Sequence, residues 1–161
     1  MRRHDGEIST PSVSSNQESL VSTIIQTVST CLFMLVGIIS LAMAFKSIFS
    51  DKFLPFHAAA TRQAWEAIDQ GLQAVIITLL RVSGLGFLVV GLQLTIGPVV
   101  NYFSPSPILK FASPALSLLF CVGLLFFNCQ LHIRANVRTP WKGSLYSVIA
   151  IALGIVLSVF P

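Results

Sequence analysis

The chain has 161 residues, of which 54% are hydrophobic and only 10% are charged, with ten Lys and Arg residues against six Asp and Glu residues. Soluble domains carry roughly 25% charged residues, so this composition excludes an ordinary soluble protein, and the scattered basic residues argue against nucleic acid as a partner. The mean hydropathy of +0.82 predicts a membrane protein whose first partner is the lipid bilayer.

Residues 1–19 are polar and predict a flexible N-terminal tail, followed by one four-span transmembrane domain over residues 20–161. The first apolar run covers residues 20–49. The triplet Ala42-Met43-Ala44 is typical of a signal-peptide cleavage site. The run nevertheless exceeds the ~7 to 15 residues of a signal core, and acidic residues precede it, so we expect a retained helix.

The connection over residues 50–70 predicts an amphipathic helix at the membrane interface. Pro55 can open a helix, and Trp65, Ile68 and Leu72 then recur at helical spacing. Gly71 is expected to mark the bend at which this helix turns into the second span, which covers residues 72–100.

The remaining chain predicts two further spans, over residues 111–131 and 145–160. The loop over residues 101–110 contains Pro105 and Pro107, which do not continue a helix easily, and the basic connection over residues 132–142 ends near Trp141. The predicted fold is therefore all-α: an integral membrane four-helix bundle with an amphipathic interfacial helix between the first and second spans.

The distribution of Lys and Arg predicts how the chain is oriented. The first and third connections hold six of these residues, and the opposite side holds three: Lys46, Lys52, Arg62, Arg134, Arg138 and Lys142 against Arg2, Arg3 and Lys110. By the positive-inside rule, the first and third connections face the cytoplasm and both termini lie outside.

Arg81 is a charged residue near the start of the second span. It can anchor the helix at the interface, form a structural ion pair, or hold the head of a ligand, since a deep arginine needs a partner. Gly84 and Gly91 lie on its broad helical face, where small residues would let another helix approach closely.

The third span carries a polar stripe that includes Asn128 and His132. This stripe either lines a pocket or hydrogen-bonds neighbouring helices. In the pocket hypothesis Arg81 faces inward beside the Asn128 stripe and holds an anionic or carbonyl head. The candidate rim groups are His57, Glu66, Asn128 and His132. No catalytic residue, metal site or cofactor is predicted, because no nucleophile with a base and no metal-binding motif accompanies these residues.

The segment FHAAATRQAWEAIDQGLQAVIITLLRVSGLGFL, residues 56–88, and the later RTPW, residues 138–141, resemble small four-helix bacterial inner-membrane proteins of unassigned function. In size and span count the chain is also loosely similar to DoxX-type proteins. The resemblance implies a four-helix bundle in a bacterial inner membrane and supplies no activity.

Three functional hypotheses follow. The leading one is a non-enzymatic accessory component, acting through a membrane-protein partner or as a homo-oligomer. The second is an intramembrane pocket that binds or modifies a lipid-like ligand, namely a lipid, quinone or isoprenoid. The third is a small transporter, for which four spans are few and no inverted repeat is visible.

Overall fold

The computed structural model describes residues 13–52, 63–135 and 139–159. In these ranges the chain forms four long helices, each long and apolar enough to cross a membrane: α1 Val13–Ile48, α2 Gln70–Phe103, α3 Pro107–Ala135 and α4 Trp141–Val159. A 3-10 turn at Trp65–Ala67 precedes α2, and the described residues contain no strand. The predicted all-α four-helix bundle is confirmed, and the chain is a multi-pass membrane protein.

The four helices form a closed ring. Helix α1 packs against α2 and α4, and α3 packs against the same two neighbours on the other side. Consecutive helices are antiparallel, since Gly84 of α2 lies beside Ile48 of α1 while Gly91 lies beside Leu41. One core joins all four helices, built from Phe33, Val36, Val90, Leu94, Cys121 and Ile151.

Glycines bring α1 and α2 into close contact. A Cβ added to Gly91 would lie 2.7 Å from the Cγ atom of Leu41 and 3.0 Å from its backbone nitrogen, and one added to Gly84 would lie 3.1 Å from the nitrogen of Ile48. On the facing helix, a Cβ on Gly37 would lie 3.2 Å from the Gly91 carbonyl oxygen. The predicted glycine face of the second span is confirmed as the surface that packs on α1.

The connection between α1 and α2 differs from the continuous amphipathic helix that the spacing predicts. Pro55 and His57 lie outside the described residues, but Ala64 and Ile68, on either side of the 3-10 turn, are extended. Helix α2 then begins at Gln70, because the Asp69 carboxylate accepts hydrogen bonds from two free N–H groups of its first turn. The chain therefore turns at Ile68 and Asp69, ahead of Gly71.

The helices extend beyond the predicted spans at several boundaries, and α2 and α3 also end later than predicted, at Phe103 and Ala135. Helix α1 already begins at Val13, and α4 begins at Trp141. Helix α3 begins at Pro107, since a proline in the first turn loses no intrahelical hydrogen bond. Pro98 and Pro114 lie inside α2 and α3.

The helices differ greatly in length. Helix α1 has 36 residues and α4 has 19, so α1 is about 54 Å long and α4 about 28 Å. Ser29 of α1 is hydrogen-bonded to Ser158, in the last turn of α4. Residues 13–28 of α1 therefore extend past the end of α4.

Candidate functional site: a polar cavity at one end of the bundle

A half-open cavity of about 570 Å³ lies at the end of the bundle where α2 connects to α3. All four helices contribute to its wall, α4 through Ser158. Its polar lining consists of Gln26, Ser29, Thr30, Gln93, Asn101, Tyr102, Ser106, Lys110, Ser113 and Ser158. This volume falls within the ~300 to 1,000 Å³ of small-molecule sites.

The side of the cavity between α1 and α4 is a fixed hydroxyl cluster. The Ser29 and Ser158 hydroxyls lie 2.7 Å apart, and each is placed to donate to the carbonyl oxygen of Gly154 at 2.8 Å. Both serines are buried, and Phe33 packs directly on Gly154, where a Cβ would lie 2.5 Å from the ring. Glycine is therefore required at residue 154 for α1 and α4 to approach closely enough to make this cluster.

Gln93 places an amide on the wall between α2 and α3. The buried Ser117 hydroxyl donates to its side-chain oxygen, and the Ser113 hydroxyl donates to its backbone carbonyl, both at 3.4 Å. Within the described ranges, the Gln93 side-chain nitrogen has no protein acceptor at hydrogen-bond distance. Its two N–H groups are therefore available to a ligand in the cavity.

Lys110 is the charged residue in the described lining of the cavity. Its ammonium group lies 5.5 Å from the centre of the Phe111 ring, and its side chain is half-buried. None of the described lining residues is acidic, and no described carboxylate lies within 4.0 Å of this ammonium group. The described lining therefore carries one positive charge and no negative one.

Two prolines add backbone acceptors. Pro98 and Pro114 both line the cavity, and neither has an N–H group to donate to the carbonyl four residues earlier. Those carbonyls belong to Leu94 and Lys110, which also line the cavity. These two carbonyls therefore lack their usual helical donor.

This set of groups can bind and orient a molecule. The lining serines have no imidazole or carboxylate beside them among the described lining residues. The described part of the chain also contains no group of three His, Cys, Asp or Glu residues able to hold a metal ion.

The residues that the sequence singles out as ligand-binding candidates lie elsewhere. Arg81 does not face inward: its side chain is 55% exposed, and its guanidinium lies 4.0 Å from the carboxylate of Asp51, just beyond the end of α1. Among the three predicted roles, this placement fits an interfacial anchor, because a long cation reaches towards water when it can. The requirement that Arg81 face inward beside Asn128 is not met.

Asn128 takes part in helix packing. Its side-chain amide donates to the hydroxyl of Ser144 in α4 at 3.0 Å. Its backbone carbonyl accepts a hydrogen bond from the Thr139 hydroxyl at 3.0 Å. The ring of His132 lies 6.2 Å from that of Trp141. These contacts favour the helix-packing alternative for the polar stripe of the third span.

Glu66 forms an exposed ion pair with Lys52, at 3.6 Å. His57 lies outside the described residues. Arg81, Glu66, Asn128 and His132 do not line the cavity. As ligand-binding residues, these five stay predictions.

The cavity uses residues for which the sequence offered only indirect signals. The pattern within each single helix predicts Gln93 to be a packing residue and Lys110 to be a cation in a loop. Two signals were present: a proline inside each of two spans, Pro98 and Pro114, and a polar group near each of them.

No family model, curated protein or solved structure matches this chain. The likeness of residues 56–88 to small four-helix inner-membrane proteins therefore stays a prediction.

Proposed function

We propose that this protein is a non-enzymatic multi-pass component of a bacterial inner membrane, and that its cavity binds the polar end of an amphipathic molecule of the lipid, quinone or isoprenoid class. The observation that carries the proposal is the lining of the cavity. It combines one cation, Lys110, with neutral polar groups and no carboxylate among the described residues.

The charge and hydrogen-bonding groups favour a head that is anionic or rich in carbonyl groups. Lys110 would attract a negative charge, and the free N–H groups of Gln93 would donate to a carbonyl or phosphoryl oxygen. The carbonyls of Leu94 and Lys110 would accept from a hydroxyl group on the same head. A cationic head is disfavoured, since the described lining residues include no carboxylate to balance it.

The shape of the bundle favours an amphipathic molecule over a freely soluble one. The cavity lies at one end of four membrane-spanning helices and is open on one side, while the outer surface below it is apolar, with exposed side chains such as Leu116 and Leu119. A head held in the cavity could thus keep its tail in the bilayer. With both termini outside, as the positive-inside rule predicts, this end faces away from the cytoplasm.

The accessory or oligomeric role stays as an alternative, and one measurement separates it from ligand binding. Native mass spectrometry of the protein released from mild detergent reports both the mass of a bound small molecule and the number of subunits. We would compare the wild type with Lys110→Gln and Gln93→Leu, and use Arg81→Gln as a matched control that removes a charge at the opposite end of the bundle.

The wild type and Arg81→Gln should carry one small molecule per chain. Loss of a charge-assisted hydrogen bond costs about 1.5 to 3 kcal/mol, so Lys110→Gln should weaken binding by roughly ten- to a hundredfold. A small molecule that stays equally bound to both cavity variants would refute the site. A wild type without any small molecule, but with a defined oligomer or bound protein, would favour the accessory role.

A further inference from the structure

The acidic residues of this chain all precede α2. The last of them is Asp69, and the 92 residues that follow contain Arg81, Lys110, Arg134, Arg138 and Lys142 with no carboxylate side chain. The hairpin formed by α3 and α4 is therefore purely cationic, and its charge has to be balanced from outside the hairpin.

The acids at the same end of the bundle are already engaged. Asp51 pairs with Arg81 at 4.0 Å, and Glu66 pairs with Lys52 at 3.6 Å. Asp69 accepts from the backbone of the first turn of α2. In the described ranges, no carboxylate lies within 4.0 Å of Arg134 or Lys142, and both side chains are exposed.

Hydrogen bonds join α3 and α4 near the connection between them. Asn128 of α3 donates to Ser144 of α4 at 3.0 Å, and Thr139, which is buried in the connection, donates to the carbonyl of Asn128 at 3.0 Å. These bonds bring the last turns of α3 beside the first turn of α4. Arg134 and Lys142 consequently project from the same end of the hairpin.

Trp141 lies beside Lys142 and His132 at this end of the hairpin. Its ring centre is 5.9 Å from the Lys142 ammonium and 6.2 Å from the His132 ring, and the residue is half-buried. Tryptophan is enriched at the level of lipid headgroups, where its ring contacts the acyl boundary and its N–H contacts water. We therefore expect Lys142, which lies beside it, to be at the depth of lipid phosphates.

We propose that this end of the α3–α4 hairpin binds the phosphate of an anionic phospholipid from the surrounding leaflet, with Arg134 and Lys142 contacting the phosphate and Trp141 contacting the glycerol and upper acyl region. The site lies at the opposite end of the bundle from the cavity and does not rest on the function proposed for it. Failure of either proposal therefore leaves the other intact.

The test measures binding of phosphatidylglycerol and phosphatidylcholine to the full chain by titration and native mass spectrometry. The double variant Arg134→Gln/Lys142→Gln removes the proposed contacts. Lys52→Gln/Arg81→Gln removes the same charge at the same end, but from cations that already have an acidic partner. Arg134→Lys/Lys142→Arg keeps both charges. Helical circular dichroism and elution volume establish that each variant is folded.

We expect the wild type to bind phosphatidylglycerol at least tenfold more tightly than phosphatidylcholine. The Arg134→Gln/Lys142→Gln variant should lose roughly thirtyfold in affinity for phosphatidylglycerol, and each single substitution about fivefold, following the attraction of one basic residue to an anionic leaflet. The control pair should change affinity by less than about threefold, and the charge-keeping pair should bind like the wild type.

Three results would overturn the proposal. One is equal binding of the two lipids by the wild type. Another is an equal loss of phosphatidylglycerol affinity in the Lys52→Gln/Arg81→Gln control. This would mean that the total charge, and not this hairpin, attracts the lipid. The third is complete displacement of the lipid by inorganic phosphate at a concentration similar to that of the lipid. This result would assign the site to a soluble anion.

Discussion

Replacing Gly91 with alanine probes how closely α1 and α2 must approach. The added Cβ would lie 2.7 Å from the Cγ atom of Leu41, which a rotamer change can relieve, and 3.0 Å from its backbone nitrogen, which only a movement of the helix can relieve. Ordinary contact begins at 3.4 Å. The two helices must therefore separate by about 0.4 Å at this point, which loosens the contacts on both sides of it.

Overpacking of this kind costs about 1 to 3 kcal/mol, while alanine is favoured over glycine in a helix by about 0.8 to 1 kcal/mol. Gly123→Ala in α3 is the matched control, because a Cβ there meets nothing within 4 Å. Both variants share the propensity gain, so the difference in their free energies of unfolding isolates the packing cost. We expect Gly91→Ala to be less stable than Gly123→Ala by about 1 to 3 kcal/mol.

The assay is equilibrium unfolding in mixed micelles, with increasing denaturing detergent and helical circular dichroism as the signal. Equal stabilities of Gly91→Ala and Gly123→Ala would refute the close approach of α1 and α2 at Gly91. A variant with bulkier Val at residue 91 should extend the trend.

Two further predictions use the same assay. Gly154→Ala should destabilise the bundle by about 1 to 3 kcal/mol, because its Cβ would lie 2.5 Å from the buried Phe33 ring. This cost should be smaller in a Phe33→Leu background. Additive effects of the two substitutions in a double-mutant cycle would contradict the contact. Asp69→Ala should cost about 0.5 to 2 kcal/mol through loss of the α2 cap. Its control, Asp51→Ala, removes an exposed ion pair and should stay within about 1 kcal/mol of the wild type; equal effects of the two would rule out the cap.

The four spans and the glycine face of α2 were predictable because each depends on the pattern within one helix. Apolar length alone indicates a span, and Gly84 and Gly91, seven residues apart, recur on one face whatever the neighbour is. The connection before α2 was harder to predict. Apolar spacing from Trp65 to Leu72 favoured a continuous helix, but Asp69 bonds the N–H groups of the following turn, and this cap starts a new helix there.

The cavity could not be predicted because it depends on the register between helices. Gln93 and Lys110 lie on different helices, and only the antiparallel alignment of α2 and α3 brings them to the same cavity. A single sequence carries no information on that alignment. The same limit explains Arg81, whose partner Asp51 lies 30 positions away and meets it only because α1 ends beside Gly84.

The lengths of α1 and α2 have a consequence for how the bundle lies in a bilayer. These helices have 36 and 34 residues, or about 54 and 51 Å, against a hydrocarbon core of about 30 Å. A helix longer than the hydrocarbon core tilts or projects beyond it. Because α1 and α2 pack tightly through Gly84 and Gly91, we expect them to tilt as one unit and to project past the lipid at their ends.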